Sequence, residues 1–520
     1  MEPIRLTKQD WLILAAIFLL ALFVRLWAIG SPPLNQDEAM YAYDAYSLGL
    51  TGKDSWGVTL PVRPECFGEY CYPLLDYAAI PSVMLFGPTE LGIRLPVAIL
   101  NCLIPLIIAL AALVITRNRP AAFGAGFLAA LSPTLVLISR IGWYASLPQV
   151  FTTAALLFAA LSVFRLRNVA MTGLLAALGY YAYPTAGLFT AAVIFPIILL
   201  RGLQERKLVY AGFFVLCFAA FSAPLIYFSL TNPSLDSFHQ QQVVITNPDS
   251  YYNTGHEQWF PDILVRHYLS YFDPSYLANP YKEYFNFELS ASPFGPFLAT
   301  FLSLPLALLV VASLFAVASR LDLKRVGKIN PGHAAVVLWL LLGMLSSVLM
   351  FPAAQSYRTN VWFPAFFVAA AIGFGFVYKH SRKIAYALLA LALAIEVLSL
   401  PAMQQSFECG SLFASGAGWK EVAGLDLGSQ TWILPYHPVH IYSFVYQKQD
   451  PQKVQSVLSS LNRSRPSWFF LDSLGNMQYC STQDCQPTGD YIVSNSPVAG
   501  ATQTIYWCGQ PALYIARNIR

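Results

Sequence analysis

The sequence is poor in charged side chains. Only 11% of its 520 residues are Asp, Glu, Lys or Arg, whereas soluble chains carry about 25%. In contrast, 56% of its residues are hydrophobic, and its mean hydropathy is +0.52. This composition excludes an ordinary soluble protein and predicts an integral membrane protein.

Dense basic tracts are also missing, although the net charge is +4. Chains that bind nucleic acids usually concentrate Lys and Arg in such tracts. We therefore expect membrane lipids around the chain and no nucleic-acid partner.

Long apolar runs predict the membrane segments. A helix needs about 17–25 apolar residues to cross the hydrocarbon core. Good candidates are 11–29, 93–115, 121–138, 147–164, 208–230, 297–318, 334–351, 361–378 and 384–400. Two shorter runs, 171–183 and 185–200, are interpreted as half-crossing helices joined at Pro184. The sequence thus predicts a polytopic α-helical membrane protein with about eleven segments.

Basic residues are distributed unequally between the two sides of these segments. One set of connections carries most of the Lys and Arg, which assigns it to the cytoplasm by the positive-inside rule. The short connections on the other side carry only Arg140 and Arg358. We therefore expect a cell-membrane protein with a cytoplasmic N-terminus. Three larger segments, 30–92, 231–295 and 401–520, then lie outside the cytoplasm.

Cysteine placement agrees with this topology. The external segments contain Cys66, Cys71, Cys409, Cys480, Cys485 and Cys508. An even external set suits disulfides formed in an oxidising compartment. Cys66 and Cys71 are the obvious local pair, whereas the other four allow three pairings. A metal site at Cys480 and Cys485 is the weaker interpretation, because no histidine lies nearby.

The C-terminal part of the chain changes in pattern. Strands are predicted at 431–435, 467–471, 491–493, 503–506 and 512–515, with helices at 418–423 and 437–446. This alternation indicates a small extracytoplasmic α/β domain at 401–520, following a membrane domain at 1–400. It shows no catalytic pattern, so we expect it to bind an acceptor or to support the membrane domain.

The first external segment opens with two adjacent acids, Asp37 and Glu38. Apolar residues then recur at helical spacing as far as Leu50, which predicts a helix along the membrane surface. Asp37 stands where a carboxylate can cap the first helical turn. A cap explains one acid but not an adjacent pair, so the pair is a candidate for chemistry.

The order of motifs resembles a known family. Asp-Glu follows the first span, and Phe86-Gly-Pro-Thr-Glu-Leu-Gly-Ile-Arg-Leu-Pro comes next, then Gly179-Tyr-Tyr-Ala-Tyr-Pro and Gln355-Ser-Tyr-Arg-Thr-Asn. This order is similar to membrane glycosyltransferases of the GT-C type that use polyprenyl-phosphate sugars. They include the protein O-mannosyltransferases and the aminoarabinose transferases of lipid A. The likeness covers roughly the first 400 residues as architecture.

The resemblance implies an inverting glycosyltransferase that acts outside the cytoplasm. It would move a sugar from a polyprenyl-phosphate carrier to an acceptor hydroxyl on a protein, lipid or glycan. Asp37 matches the family's catalytic base, with Glu38 beside it. Arg358 is the first candidate for the donor phosphate, because the arginine fork suits phosphate oxygens. Further candidates for substrate binding are Tyr41, Arg63, Arg94, Arg140 and Tyr357.

Some positions depart from the family pattern. The aminoarabinose transferases carry basic residues where this chain has Met40 and Cys71 or Tyr72. The resemblance then implies other contacts to the phosphate, through Arg63 or Arg94. Arg140 has no closely following acid, so no set of metal ligands is predicted. Dependence on a divalent cation is left open, because no ligand pattern supports it.

A secondary transporter, or a lipid or solute carrier with an external accessory domain, is the alternative function. Discontinuous helices around Pro184 would suit a transporter. However, the sequence shows no internal repeat, and the predicted spans contain almost no acidic residues apart from Glu396. These features favour the transferase.

Overall fold

A computed structural model describes residues 5–66, 69–232, 260–273, 277, 303–319, 329–348, 358–434, 438–460, 471–480 and 486–518. Within these ranges the chain folds into apolar helices followed by a small mixed sheet. Tyr357, Cys485 and most of the predicted external segment 231–295 lie outside the described residues.

Apolar helices form most of the described structure. Within the described ranges, six segments are long and apolar enough to cross a membrane: Lys8–Leu26, Glu90–Thr116, Tyr144–Leu161, Thr185–Gln204, Val209–Thr231 and Arg382–Gly416. Shorter helices occupy the other predicted segments: Arg119–Leu131 with Pro133–Ile138, Leu166–Ala182, Leu304–Ala318, Pro331–Leu342 and Pro364–His380. The predicted polytopic helical architecture is confirmed.

The two segments around Pro184 are longer than predicted. Helices cover Leu166–Ala182 and Thr185–Gln204, and the second is 20 residues long. The apolar run stops before Arg201, but the helix continues because this guanidinium is satisfied. It donates to the carbonyls of Ala159 and Ser162, each at 2.7 Å. The second segment is therefore long enough to cross a membrane, which its apolar run alone did not indicate.

The first external segment folds as a helix, a hairpin and a second helix. Helix α2 covers Gln36–Thr51, strands β1 and β2 cover Glu65–Cys66 and Glu69–Tyr70, and helix α3 covers Leu74–Phe86. The predicted disulfide between Cys66 and Cys71 closes the hairpin. Helix α4, Glu90–Asn101, then leads back into the membrane part.

Helix α2 is buried on more than one face. Its residues from Glu38 to Ala45 are all buried, because α2 packs between α3 and the C-terminal helices His440–Tyr446 and Pro451–Ser459. The predicted helix is present, but protein covers more than its apolar face. Periodicity identified its apolar face, but the opposite face is covered by a domain distant in sequence.

The C-terminal domain contains a six-stranded mixed sheet. Its strand order is β4-β5-β3-β6-β8-β7. The strands are β3 Gln430–Ile433, β4 Ser473–Leu474, β5 Met477–Cys480, β6 Tyr491–Ser494, β7 Ala501–Trp507 and β8 Gln510–Arg517. Strand β3 pairs in parallel with β5 and β6, and the other pairs are antiparallel. The sequence analysis did not identify β4, β5 or the helix Pro451–Ser459.

The last span connects directly to this domain. Its helix, Arg382–Glu408, passes through Pro401 and ends beside Cys409. Cys409 is bonded to Cys508, which ties the span to the β7–β8 hairpin and selects among the three pairings left open by the sequence. Cys480 is also disulfide-bonded.

The basic-residue asymmetry generates a prediction about orientation. In a background with Cys102 and Cys217 replaced by Ser, we expect a membrane-impermeant maleimide to label Ser496→Cys in right-side-out vesicles. Lys379→Cys, also exposed, should react only in inverted vesicles, because basic residues are retained in the cytoplasm. The reverse pattern would contradict the assigned orientation.

Candidate active site at the start of helix α2

A capping box fixes the start of α2. The Asn35 Oδ1 atom accepts hydrogen bonds from the backbone N–H groups of Asp37 and Glu38, at 2.9 and 3.0 Å. The Glu38 carboxylate accepts one in return from the Asn35 N–H, at 3.2 Å. Asn35 therefore serves as the cap, and the alternative that Asp37 is only a helix cap does not apply. Both residue types cap helices well, so the sequence did not discriminate between them.

Glu38 forms a completely buried ion pair with Arg94. Arg94 donates from Nε and Nη2 to the two carboxylate oxygens, at 2.8 and 2.7 Å, and both side chains are 0% exposed. The other guanidinium donors reach the carbonyls of Ile29, Pro32 and Pro33 at 2.8 to 2.9 Å. All five N–H donors of the arginine are thus engaged. The structure places Arg94 in the framework rather than at an open phosphate site.

This ion pair joins segments that are distant in the chain. The Glu38 carboxylate also accepts a hydrogen bond at 2.7 Å from the N–H of Gly142, in the connection between the helices Pro133–Ile138 and Pro148–Leu161. The rings of Phe407 and Phe413 lie 5.7 and 5.0 Å from the Arg94 guanidinium. The first turn of α2, which carries Asp37, is consequently held from several directions.

Five tyrosines pack together close to Asp37. This tyrosine cluster consists of Tyr41, Tyr72, Tyr144, Tyr180 and Tyr183. Ring centroids are 5.2 Å apart for Tyr41 and Tyr144, 5.2 Å for Tyr144 and Tyr183, and 6.3 Å for Tyr72 and Tyr180. Tyr41 follows Asp37 by four residues, on the same side of α2.

The Tyr41 hydroxyl stays neutral. Burial raises its pKa well above the ordinary value, and the nearby Tyr144 hydroxyl and the charges of Asp37 and Asp76 raise it further. A neutral phenol can donate a hydrogen bond in this acidic environment. The sequence analysis named Tyr41 as a candidate and quoted the motif containing Tyr180 and Tyr183, but it did not identify a cluster.

Arg63 is held against the tyrosine cluster by the disulfide-closed hairpin. Its guanidinium donates to the carbonyl groups of Tyr70 and Cys71, and it lies 4.7 Å from the centre of the Tyr72 ring, a cation–π contact. Arg63, one of the predicted basic residues, is therefore in contact with the cluster.

Arg358 belongs to a buried segment that approaches the same region. Two residues later, Asn360 donates from its side chain to the carbonyl of Ala145 at 3.0 Å. Ala145 directly follows Tyr144, a member of the cluster. Arg358 is itself 1% exposed.

Arg140 lies on the framework side of the site. It donates to the Gln404 side chain at 2.7 Å and to the carbonyl of Trp27, and it lies 4.2 Å from the Phe407 ring centre. Burial, together with the nearby positive charge of Arg94, lowers the pKa of Arg140 to about 9. The structure thus places Arg140 between the first and last spans.

Sequence analysis missed a buried acid cluster next to the site, formed by Asp44, Asp54, Glu65 and Asp76. The Asp44 carboxylate accepts a hydrogen bond from the Ser55 N–H at 2.9 Å. Burial and the charge of Asp54 raise the pKa of Asp44 to about 8. Burial and the neighbouring charges of Asp44 and Asp54 also raise the pKa of Asp76. The available signal was that Asp44 falls on the apolar face of α2, three residues after Tyr41.

Within the residues that the structure describes, no three His, Cys, Asp or Glu side chains are arranged so that they could hold a metal ion.

Solved structures show what this fold resembles. ArnT from Cupriavidus metallidurans bound to undecaprenyl phosphate matches with a TM-score of 0.57 at 13% identity, over 98% of both chains. Its apo state matches with a TM-score of 0.54 at 14% identity, over 98% of both chains. An oligosaccharyltransferase from Archaeoglobus fulgidus gives 0.48 at 13% identity, covering 84% of this chain and 63% of its own. No protein-family model matches, and neither does any curated protein sequence. The chain therefore has a GT-C glycosyltransferase fold.

The Glu38–Arg94 ion pair generates a prediction about stability. Arg94→Gln should destabilise the protein by about 3–5 kcal/mol, because it leaves a buried carboxylate without its counter-charge. Unfolding in detergent, followed by circular dichroism, measures this loss. Lys207→Gln is the control, since its pair with Glu205 is exposed and should contribute only about 0–1 kcal/mol. Equal losses in the two variants would contradict a special role for the buried pair.

The acid cluster generates a prediction about pH. Asp44 has a pKa of about 8 in the folded protein, against an ordinary value of 3.8. Between these values the folded state binds more protons than the unfolded state, so stability falls as pH rises. Asp44→Asn cannot titrate but keeps the oxygen that accepts from Ser55. It should therefore be more stable than the parent at about pH 8, with the difference shrinking towards about pH 4.

Thermal unfolding across this pH range measures the effect, with the exposed Asp426→Asn as the matched control. An unchanged pH slope in Asp44→Asn would show that Asp44 is not protonated in the folded protein.

Proposed function

Starting from the GT-C fold, we propose that the chain is an inverting glycosyltransferase. It moves a sugar from a polyprenyl-phosphate carrier to an acceptor hydroxyl at the outer surface of the membrane. The observation that carries the proposal is the position of Asp37, which is half-buried at the start of an otherwise buried helix. Its charge acts on Tyr41, a member of the tyrosine cluster.

Asp37 is the proposed general base. Inverting transfer needs one group that takes the acceptor proton within hydrogen-bond reach as the sugar–phosphate bond breaks. A half-buried carboxylate can meet an acceptor hydroxyl, whereas the completely buried Glu38 cannot do so without breaking its ion pair. The neutral Tyr41 hydroxyl can donate to a substrate oxygen beside it.

Glu38 is proposed as a positioning residue. Its oxygens accept from Arg94, from the Gly142 N–H and from the Asn35 N–H. These bonds fix the backbone turn that carries Asp37, and they occupy both oxygens of the Glu38 carboxylate. Accurate placement of a catalytic group matters, because an error of about 1 Å can cost about a hundredfold in rate.

Arg63 and Arg358 are the proposed partners of the donor phosphate. Bond cleavage leaves an extra negative charge on the phosphate, which pre-placed arginines stabilise. Arg63 contacts the tyrosine cluster through Tyr72, and the Arg358 segment is anchored beside Tyr144 through Asn360. ArnT, which shares the fold, binds undecaprenyl phosphate. A lipid-linked donor of this chemistry suits a site at the membrane boundary.

The GT-C fold, shared with ArnT, favours the transferase over the transporter alternative. The helix break at Pro184, on which that alternative rested, is compatible with either function. The acceptor class, whether protein, lipid or glycan, is left to the assay below.

The proposal predicts different effects for base and phosphate variants. Asp37→Asn should lower sugar transfer by about 10²–10⁴-fold while donor binding is retained, because an amide keeps the shape but takes no proton. Arg358→Ala and Arg63→Ala should weaken donor binding as well as turnover. Transfer from a polyprenyl-phosphate sugar in nanodiscs measures the rate, and titration of the donor measures binding.

Asp472→Asn is the control, since this external acid is exposed and lies in the C-terminal domain. Near-parental transfer by Asp37→Asn would exclude Asp37 as the base.

A further inference from the structure

A groove of about 770 Å³ lies on the membrane part, far in the fold from the proposed site. It runs between the first span, Lys8–Leu26, and the last span, Arg382–Glu408, over the helix Arg119–Leu131. We call it the interspan groove. Its lining is Thr7, Gln9, Asp10, Leu12, Ile13, Ala16, Arg119, Pro120, Phe123, Gly124, Phe127, Tyr386, Leu389 and Leu393.

The interspan groove has one polar end and one apolar end. Thr7, Asp10 and Arg119 are at the polar end, where two of the helices begin, and Ala16 and Leu393 are at the apolar end. Nine residues separate Thr7 from Ala16, which at 1.5 Å per residue is about 14 Å. This is about half of the roughly 30 Å hydrocarbon core. The groove therefore has the depth of a single leaflet.

A missing side chain shapes the floor of the groove. At Gly124, a Cβ atom would lie 2.7 Å from a methyl carbon of Leu389, so glycine permits the last span to approach this helix. Phe123 and Phe127 supply the remaining apolar surface of the floor. An acyl chain is the ligand whose shape and polarity fit such a channel, because its burial is favourable by about 0.8 kcal/mol per CH₂.

The polar end carries a built ion pair and an excess of positive charge. Arg119 donates to both oxygens of Asp10, at 2.9 and 3.1 Å, and its side chain is still 49% exposed. The negative charge of Asp10 is balanced by Arg119 in this pair. The basic residues on the same helix ends or next to them are Lys8, Arg117, Arg382 and Lys383. This balance attracts an anionic headgroup, at about 1 kcal/mol for each Lys or Arg near the surface.

We propose that the interspan groove binds an anionic glycerophospholipid. One acyl chain lies along the first span, and the headgroup phosphate lies at the Arg119 end. By the basic-residue asymmetry this end is cytoplasmic, so the lipid comes from the leaflet opposite the proposed sugar donor. The first span, about 28 Å long by its 19 residues, separates this lipid from Asp37. The proposal does not depend on the proposed transferase activity.

Two adjacent alanines offer a matched test. Ala15 and Ala16 are both exposed on the first span, but only Ala16 lines the groove. Ala16→Trp should fill the groove and reduce binding of phosphatidylglycerol at least about tenfold, whereas Ala15→Trp should leave binding within about twofold. Native mass spectrometry of the full-length protein in detergent, titrated with phosphatidylglycerol or phosphatidylcholine, counts the bound lipids. Should Ala16→Trp fail to fold, Ala16→Leu tests the same surface.

The headgroup is tested separately. Lys8→Gln, Arg117→Gln and Arg382→Gln together should remove the preference for phosphatidylglycerol over phosphatidylcholine, by roughly fivefold for each charge. Equal binding of the two lipids by the parent protein would overturn the proposal. Unchanged phosphatidylglycerol binding in both tryptophan variants would also overturn it, because the lipid would then bind nonspecifically over the apolar surface of the protein.

Discussion

The part of this protein around helix α2 depends on one buried ion pair, between Glu38 and Arg94. Removing two such charges from water costs several kcal/mol per ion unless every donor and acceptor is satisfied. Here the arginine uses all five donors, and the carboxylate also accepts from two backbone N–H groups. The pair is therefore stable only when the end of the first span, α2, α4 and the Gly142 connection are all in place. These elements form as one unit.

The C-terminal domain adds to this dependence. Lys420 pairs with Glu90 at 2.9 Å, and the Tyr446 hydroxyl donates to the same carboxylate at 3.2 Å. At Gly416 a Cβ atom would lie 1.7 Å from the carbonyl oxygen of Leu34, so only glycine allows the domain to approach the start of α2. The domain thus covers the helix that carries Asp37. It therefore helps to fix the turn that carries this half-buried acid.

Sequence analysis was accurate wherever a local property decides the outcome. Hydropathy and length located the spans, because a lipid environment demands long apolar helices whatever their neighbours are. Proximity in the chain predicted the Cys66–Cys71 bond. It was inaccurate at Arg201, where hydrogen bonds to the carbonyls of Ala159 and Ser162 accompany a helix that continues past the apolar run. Strand β5, Met477–Cys480, escaped notice because it contains no β-branched residue, unlike the equally short β3 and β6.

The sequence by itself determined the membrane architecture, the external cysteine set and the adjacent acids at the head of α2, since composition and spacing encode these features directly. Only the tertiary structure decided the position of each arginine. Arg94 and Arg140 are framework residues and Arg63 contacts the tyrosine cluster, although the sequence predicted substrate binding for all three. The physical reason is that an arginine's role is set by the carbonyls, carboxylates and rings around its guanidinium. Those groups come from segments up to several hundred residues away.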